Sequence, residues 1–398
     1  MQHILENEAL KLCINDAGAE LCSVLDKASG SERIWTADPA VWNRHAPILF
    51  PFVGKLVNGK YRVGGREYAM KTQHGFARDM DFSCLEETPS SVAHRLLPTA
   101  ELQESYPYSF CLDIRHSLDP GNPRLLHIAW RVENRGRDLM YYSIGGHPGF
   151  LMPEGVRKED CSLVFPGRDQ LSYFGADAAG FALPDETHTL SLPAGRAPYQ
   201  ADIPSTWIFE GQAIQTVGIE LPDGSPFITM HCEQFPLLAV WANPTGPFIC
   251  LEPWFGRTDD AGFTGTLAEK PGIQTLVPGG HREISYSVIH SGRLKKVRLL
   301  PKPWKIWRQW PVSSFHFTED GMEDYLYWQI HDKQILKKIN SLLKSVARTP
   351  FTGEGKPEPL KGEKGKWSRR INDADRLVYS YENDTVTVYQ CKGHYDDK

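Results

Sequence analysis

Three short stretches of the chain set proton-transfer groups inside glycine- and proline-rich turns. They are Gln73-His74-Gly75-Phe76-Ala77-Arg78-Asp79, Gly145-Gly146-His147-Pro148-Gly149-Phe150 and Leu251-Glu252-Pro253-Trp254-Phe255-Gly256-Arg257. Two histidines and a carboxylate suit proton shuffling on a sugar. Anomer interconversion needs a base for the C1 hydroxyl proton and an acid for the ring oxygen, so that the ring opens and C1 can present its other face. A glutamate and a histidine on opposite sides of a pyranose meet that need without a cofactor.

A second constellation lies near the other end of the chain: Thr349-Pro350-Phe351, Lys356-Pro357-Glu358-Pro359-Leu360, Trp367-Ser368-Arg369-Arg370, Arg376-Leu377-Val378-Tyr379 and His394-Tyr395. Cleaving RNA without metal requires a base for the 2′-hydroxyl, cations for the phosphorane and an acid for the leaving oxygen. Glu358, Arg369, Arg370, Arg376 and His394 supply those types. An unperturbed imidazole, with a pKa of about 6.5, keeps a protonated fraction at neutral pH and fits the acid role. Tyr395 could stack on a base or orient the phosphate.

The elements that must carry these groups differ between the two regions. From Ile4 to about His290 the pattern is short β-like runs separated by Gly, Pro, Asn and Asp, which predicts a large antiparallel sandwich. Gly64-Gly65 between Lys60 to Val63 and Arg66 to Met70 marks a hairpin, and Asp223-Gly224 before Phe227 to Cys232 marks another. Beyond residue 313 the expected order is β, α, α, β, β, β. A strand at Ser313 to Phe317 precedes a helix over Glu319 to Ile330 and a second one capped by Asp332. In that second helix Ile335, Leu336, Ile339, Leu342, Leu343 and Val346 recur on one face. Strands follow at Trp367 to Ile371, Arg376 to Tyr381 and Thr385 to Cys391.

Between the regions, Arg293 to Arg308 holds seven cations in sixteen residues and no acid, with Trp304, Trp307 and Trp310 nearby. Pro301, Pro303 and Pro311 oppose a continuous helix. Such a stretch reads as a solvated linker, or as an RNA-facing tether. The expected division is therefore 1–292, a basic linker at 293–312, and 313–398.

Composition agrees with two soluble globular parts. A chain of 398 residues with 41% hydrophobic and 23% charged residues is neither disordered nor fibrous. A net charge of −5 gives no global attraction to nucleic acid, although a basic face can hide beside an acidic remainder. No basic, apolar leader opens the chain and no stretch of about 20 apolar residues could span a membrane, so a cytoplasmic location is expected. The eight cysteines form no Cys-x-x-Cys pair, which argues for reduced thiols and against a zinc site.

The three amino-terminal motifs resemble the aldose 1-epimerase (galactose mutarotase) superfamily, in its LacX-like branch, over roughly residues 1 to 292. The resemblance implies a mainly-β supersandwich, an aldose substrate and no cofactor or metal. It implies Glu252 as base, His147 as acid and His74 as a ring-oxygen or hydroxyl contact. Lys55 takes the place of an arginine of galactose mutarotases, and Arg44, Arg78 and Trp254 are further candidates for the cleft lining. Gly-Gly-His-Pro-Gly-Phe replaces the Asn-His-x-Tyr-Phe-Asn motif of those enzymes, so galactose as substrate does not carry over.

Residues 313 to 395 resemble the YoeB/Txe toxins of the RelE superfamily, from Asp324-Tyr-Leu-Tyr-Trp328 through His394-Tyr395. That resemblance implies a small α+β fold, mRNA cleavage in the ribosomal A site and restraint by a YefM-type antitoxin. It implies Glu358 as general base, Arg376 in transition-state stabilisation, His394 as general acid and Tyr395 in substrate positioning. Arg370 and Lys361 would hold phosphate, with Arg369 beside them. The Gly362 to Lys366 loop is shortened relative to the family, and Asp396-Asp397-Lys398 extends past His-Tyr, where added acid could raise the His394 pKa or repel phosphate. The alternatives are a non-catalytic carbohydrate-binding front half joined to an antitoxin- or ribosome-binding tail, and a joined gene with one working half.

Overall fold

The structure, a computed structural model, describes residues 1–70, 72–199, 206–291, 314–360, 363, 365–382 and 385–393. The chain divides into two compact units that meet in sequence at Leu299/Leu300. The expected linker at 293–312 lies outside the described residues.

Strand pairing in the first unit is antiparallel throughout the named strands. A nine-stranded sheet is centred on the long strands Phe110–Leu118, Leu125–Asn134 and His281–His290, and a six-stranded sheet on Leu237–Trp241 and Phe248–Phe255. One apolar cluster draws from both: Ile114, Ile128, Trp130 and Ile284 from the larger sheet, Phe209, Val240, Ile249 and Leu251 from the smaller. The expected sandwich is thus present. The hairpin signals also hold, with Val63 paired to Arg66 across Gly64 and Gly65, both at positive φ as a tight two-residue turn requires.

Strand Phe248–Phe255 is buried at all eight positions. It runs between Leu237–Trp241 on one side and the short strands Ile144–Gly146 and Gly149–Leu151 on the other. A strand buried on both faces normally carries only apolar residues. Here Glu252 interrupts the run, opposite Ala239.

The second unit forms the order read from the sequence with one addition. Strand Ser314–Phe317 leads into helices Glu319–His331 and Lys333–Arg348, then strands Lys366–Arg370, Arg376–Glu382 and Thr385–Gln390. Asp332 caps the second helix by accepting from the Gln334 and Ile335 amides at 2.7 and 3.1 Å. Ile339, Leu342 and Val346 are buried against Leu377, Tyr379, Val386 and Val388, so one face of the sheet is covered by helix. The addition is a two-residue edge strand, Glu358–Pro359, which pairs with Ser368 and Trp367. Two prolines around a glutamate gave no periodicity from which to expect it. Among the described residues no helix is long and apolar enough to cross a membrane.

Candidate functional sites

In the first unit the three motifs converge. His74 has a left-handed backbone at φ 67°, a conformation that costs a non-glycine residue roughly 1 kcal/mol. It is held there by two reciprocal bonds with Gly54: the His74 amide donates to the Gly54 carbonyl at 2.7 Å, and the Gly54 amide donates to His74 Nδ1 at 3.0 Å. An Nδ1 that accepts leaves the proton of the neutral ring on Nε2. Burial, followed by the charges of His147, Arg78 and Lys55, keeps the ring well below the usual imidazole pKa. His74 is thereby fixed as a neutral Nε2–H donor. At Gly75 a Cβ would fall 2.3 Å from the Phe50 carbonyl oxygen, so only glycine lets this turn close.

His147 follows two glycines for a packing reason. A Cβ at Gly145 would lie 2.5 Å from Trp254 Cδ1, and one at Gly146 would lie 2.8 Å from the Tyr286 hydroxyl. The His147 amide donates to the Pro47 carbonyl, and its ring is flanked by Trp42 at 4.9 Å, Trp241 at 5.4 Å and His74 at 5.6 Å between centroids. Burial, aided by Arg78, pushes its pKa down to about 3.

His147 Nε2 stands 3.4 Å from Glu252 Oε2. Glu252 is 1% exposed, its Oε2 and His147 Nδ1 have no hydrogen-bond partner, and burial raises the carboxyl well above the usual range, the Trp254 indole offsetting only part. Both shifts favour uncharged forms. The pair does not flank a sugar ring on opposite sides as expected from its types; it forms one contiguous acid-base surface. That geometry still suits an anomeric centre, whose ring oxygen and hydroxyl oxygen share one carbon.

The other expected contacts divide. Trp254 lies beside Glu252, and Arg78 is close enough to depress the pKa of His147. Lys55 Nζ donates to the Ala179 carbonyl at 2.6 Å while its charge reaches His74. The Arg44 guanidinium donates to the Arg78 carbonyl at 3.1 Å and pairs with Asp79. It positions the turn that carries Arg78. Trp42 and Trp241 were missed by sequence reasoning, since each is one indole in an unremarkable segment, brought to His147 only by tertiary packing.

In the second unit the register decides which groups share a surface. Glu358 opposes Ser368, and Arg370 opposes Arg376. Strand alternation puts Glu358, Lys366, Ser368, Arg370, Arg376 and Ser380 on the sheet face away from the helices. Tyr389 joins them, with its hydroxyl 3.1 Å from Ser380 Oγ and its ring under Lys366 Nζ at 4.3 Å. Arg370 pairs with Asp373, and Arg376 donates to the Asn372 carbonyl at 2.8 Å, so both guanidinium groups border the Asn372–Asp375 turn.

Arg369 lies on the opposite face and is 0% exposed. It donates to Tyr379 Oη, Ser345 Oγ and the Glu354, Thr349 and Thr352 carbonyls. With its donors spent inside the unit it pins the 349–354 loop and has no part in holding phosphate, which corrects the expectation for this residue. Asp324 and Trp328 also gain a structural meaning. The Asp324 carboxylate accepts from the Cys391 and Lys392 amides at 2.9 and 3.1 Å, and the Trp328 indole donates to the Cys391 carbonyl at 2.8 Å. Gly393 is held in turn by Asp375 and by the Arg376 amide. Lys361, His394 and Tyr395 lie outside the described residues.

Comparison with known proteins separates along the same line. A profile described as aldose 1-epimerase matches residues 1–171, and one described as YoeB-like toxin of bacterial type II toxin-antitoxin systems matches residues 317–395. The chain is 30% identical over 306 residues to the chromosomal protein LacX of Lactococcus lactis subsp. lactis, covering 71% of this chain and 97% of the relative. It is 52% identical over 80 residues to the toxin YoeB of Escherichia coli K12, covering 20% of this chain and 95% of the toxin. Among solved structures, a galactose mutarotase related enzyme from Lactobacillus acidophilus matches with a TM-score of 0.69 at 28% identity, over 75% of this chain and all of that one. A galactose mutarotase-like protein from Lactobacillus casei matches at 0.65 and 32%, over 73% and 99%. With a mutarotase-like sheet system around Glu252 and a toxin-like sheet bearing Glu358, the chain belongs to the aldose 1-epimerase family, in the company of LacX, through its first unit and to the YoeB-like toxin family through its second.

Proposed function

We propose that the first unit interconverts the anomers of an aldose and that the second cleaves mRNA on the ribosome. The observation that carries the first reading is the buried contact between His147 and Glu252, in which Glu252 Oε2 and His147 Nδ1 have no hydrogen-bond partner. Glu252 as carboxylate takes the proton of the C1 hydroxyl. As the bond from C1 to the ring oxygen breaks, His147, which carries the proton of the pair when Glu252 is the carboxylate, protonates that oxygen, and the neutral His74 donates a hydrogen bond to it from Nε2–H. Rotation about C1–C2 and the reverse transfers close the other anomer, with no net change in the enzyme. Trp42 and Trp241 offer apolar faces for the sugar's C–H surface, and Arg78 and Lys55 offer donors for its hydroxyls.

In the second unit Glu358 takes the ribose 2′-hydroxyl proton, and the 2′-oxygen attacks phosphorus. Arg376 and Arg370 balance the charge that develops, and the 5′-oxygen leaves with a proton, which the family resemblance assigns to His394. The products are a 2′,3′-cyclic phosphate and a 5′-hydroxyl. What supports this reading is that Glu358, Arg370 and Arg376 share one sheet face, Glu358 and Arg370 exposed on it, with Gly393 hydrogen-bonded beside Arg376. A YefM-type antitoxin is the expected restraint, and a cytoplasmic location would suit both activities.

The deciding experiment measures anomer exchange by NMR and ribosome-dependent cleavage by primer extension on the intact chain, beside Glu252→Gln and Glu358→Ala. Each variant should lose one activity and keep the other. One observation favours a second reading for the first unit: burial favours the protonated form of Glu252, and a protonated carboxyl is no base. Saturable sugar binding with no exchange at any pH up to 9 would make this unit a carbohydrate-binding module.

A further inference from the structure

Away from the cleft, the first strand of the chain is turned in an unexpected sense. In Gln2–Glu6 the alternation buries His3 and Leu5 and leaves Ile4 46% exposed. Burying an imidazole while leaving an isoleucine half exposed forfeits apolar burial, so the polar group needs a purpose in the interior. His3 meets three other groups there. Its Nε2 is 2.8 Å from Asp16 Oδ1, and its Nδ1 is 2.9 Å from Glu87 Oε2. His94, in strand Ser91–Leu96, stands with its ring 5.0 Å from that of His3 and its Nε2 3.2 Å from the same Asp16 Oδ1. His94 is 0% exposed, and neither of its ring nitrogens makes a hydrogen bond. A buried imidazole whose Nε2 faces a carboxylate oxygen without a hydrogen bond of good geometry, and whose Nδ1 has none, is costly. The other Asp16 oxygen holds the Met1 amino group at 2.8 Å.

We propose that His3, Asp16 and His94 bind a divalent transition-metal ion, zinc by the chemistry of its donors, at a site independent of the sugar cleft. Two neutral imidazoles and one carboxylate form a donor set that zinc favours. Their donor atoms lie within 4.8 Å of one another. A tetrahedral ion with bonds of about 2.0–2.1 Å spaces its ligand atoms roughly 3.3 Å apart. The Asp16 to His94 distance already matches, and the Asp16 to His3 distance needs only a small opening. Glu87 completes the pattern: a metal-bound histidine commonly donates its second N–H to a carboxylate, as His3 Nδ1 can to Glu87. The ion would give His94 Nε2 a bond of good geometry in place of its 3.2 Å approach to Asp16 and tie the first strand to Ser91–Leu96, with the His3 proton displaced from Nε2 on binding.

A second cluster, His147, Cys250 and Glu252, has donors equally close but is the catalytic surface itself. The test must therefore separate the two. The intact chain, stripped with a chelator, is titrated calorimetrically with zinc chloride. One ion per chain is expected, with binding lost in His94→Phe and Asp16→Asn, weakened about 10–100-fold in Glu87→Gln and unchanged in Cys250→Ser. His94→Phe fills the same buried space with apolar atoms. Its melting in chelator, compared with the stripped parent, reports folding, and His3→Gln is the second variant should it fail. Absence of binding at micromolar zinc overturns the site. So does binding that survives His94→Phe or His3→Gln, or that disappears in Cys250→Ser.

Discussion

Glu252 and Glu358 are both strand glutamates read as general bases, and the molecule surrounds them in opposite ways. Glu252 sits mid-strand in the six-stranded sheet, buried, against a histidine that is itself held neutral. Glu358 sits on a two-residue edge strand, exposed, on a face shared with Arg370 and Arg376. A small neutral substrate can be enclosed, and low polarity then strengthens each proton transfer. A polyanion presented on a ribosome cannot be enclosed, so the groups that meet it must lie on an open surface and carry charge. The contrast teaches that a carboxylate's role is set by what the rest of its sheet does with water.

The sharpest way to break this comparison is to remove the two carboxylates in turn. Glu252→Gln should lower anomer exchange by about 10²–10⁴-fold while mRNA cutting persists, and Glu358→Ala should do the reverse. Mutual loss would mean that the sites are not independent.

The neighbouring arginines test the facing of the second sheet. Arg369→Ala removes five hydrogen bonds from the interior and should destabilise the second unit by about 3–5 kcal/mol in urea unfolding. Arg370→Ala should change stability by less than about 0.5 kcal/mol and reduce cleavage instead. Equal stability losses would refute the alternation argued here.

Smaller effects sharpen the first site. Trp42→Ala should weaken sugar binding up to about tenfold without moving the pH profile. The pH dependence itself has a defined sign. The folded pKa of Glu252 is raised, so its contribution to stability is present below the unfolded carboxyl pKa of about 4.3 and is lost as pH rises towards the folded value. Glu252→Gln should therefore melt higher than the parent at neutral pH, and the gain should vanish near pH 4. Exchange by the parent should correspondingly increase with pH through a midpoint above the ordinary carboxylate range.

Much of this was legible in the sequence because turns and motifs are local. The glycines around His74 and His147 announced tight backbone positions, and the Ile335 to Val346 periodicity marked the buried face of a helix. Burial and facing were not local. Arg369 and Arg370 look interchangeable in a row, and only the register against Leu377 and Arg376 shows that one enters the interior while the other stays outside. The expectation of a glutamate and a histidine across a ring failed because their separation depends on strand packing between Gly145 and Trp254, which residue types do not encode. His3 escaped notice since Ile4 is the residue that composition would turn inward.

The placement of Glu252 has a further consequence for durability. Strand Phe248–Phe255 is hydrogen-bonded along both edges and covered on both faces, so its amides should exchange with deuterium only through global opening of the unit. The proposed anomer-exchange centre is then inseparable from the fold, and heat should extinguish that activity and the structure at one temperature. The Glu358 edge, held by two residues at a sheet margin, can fray alone, and cleavage should fade on warming before the second unit melts.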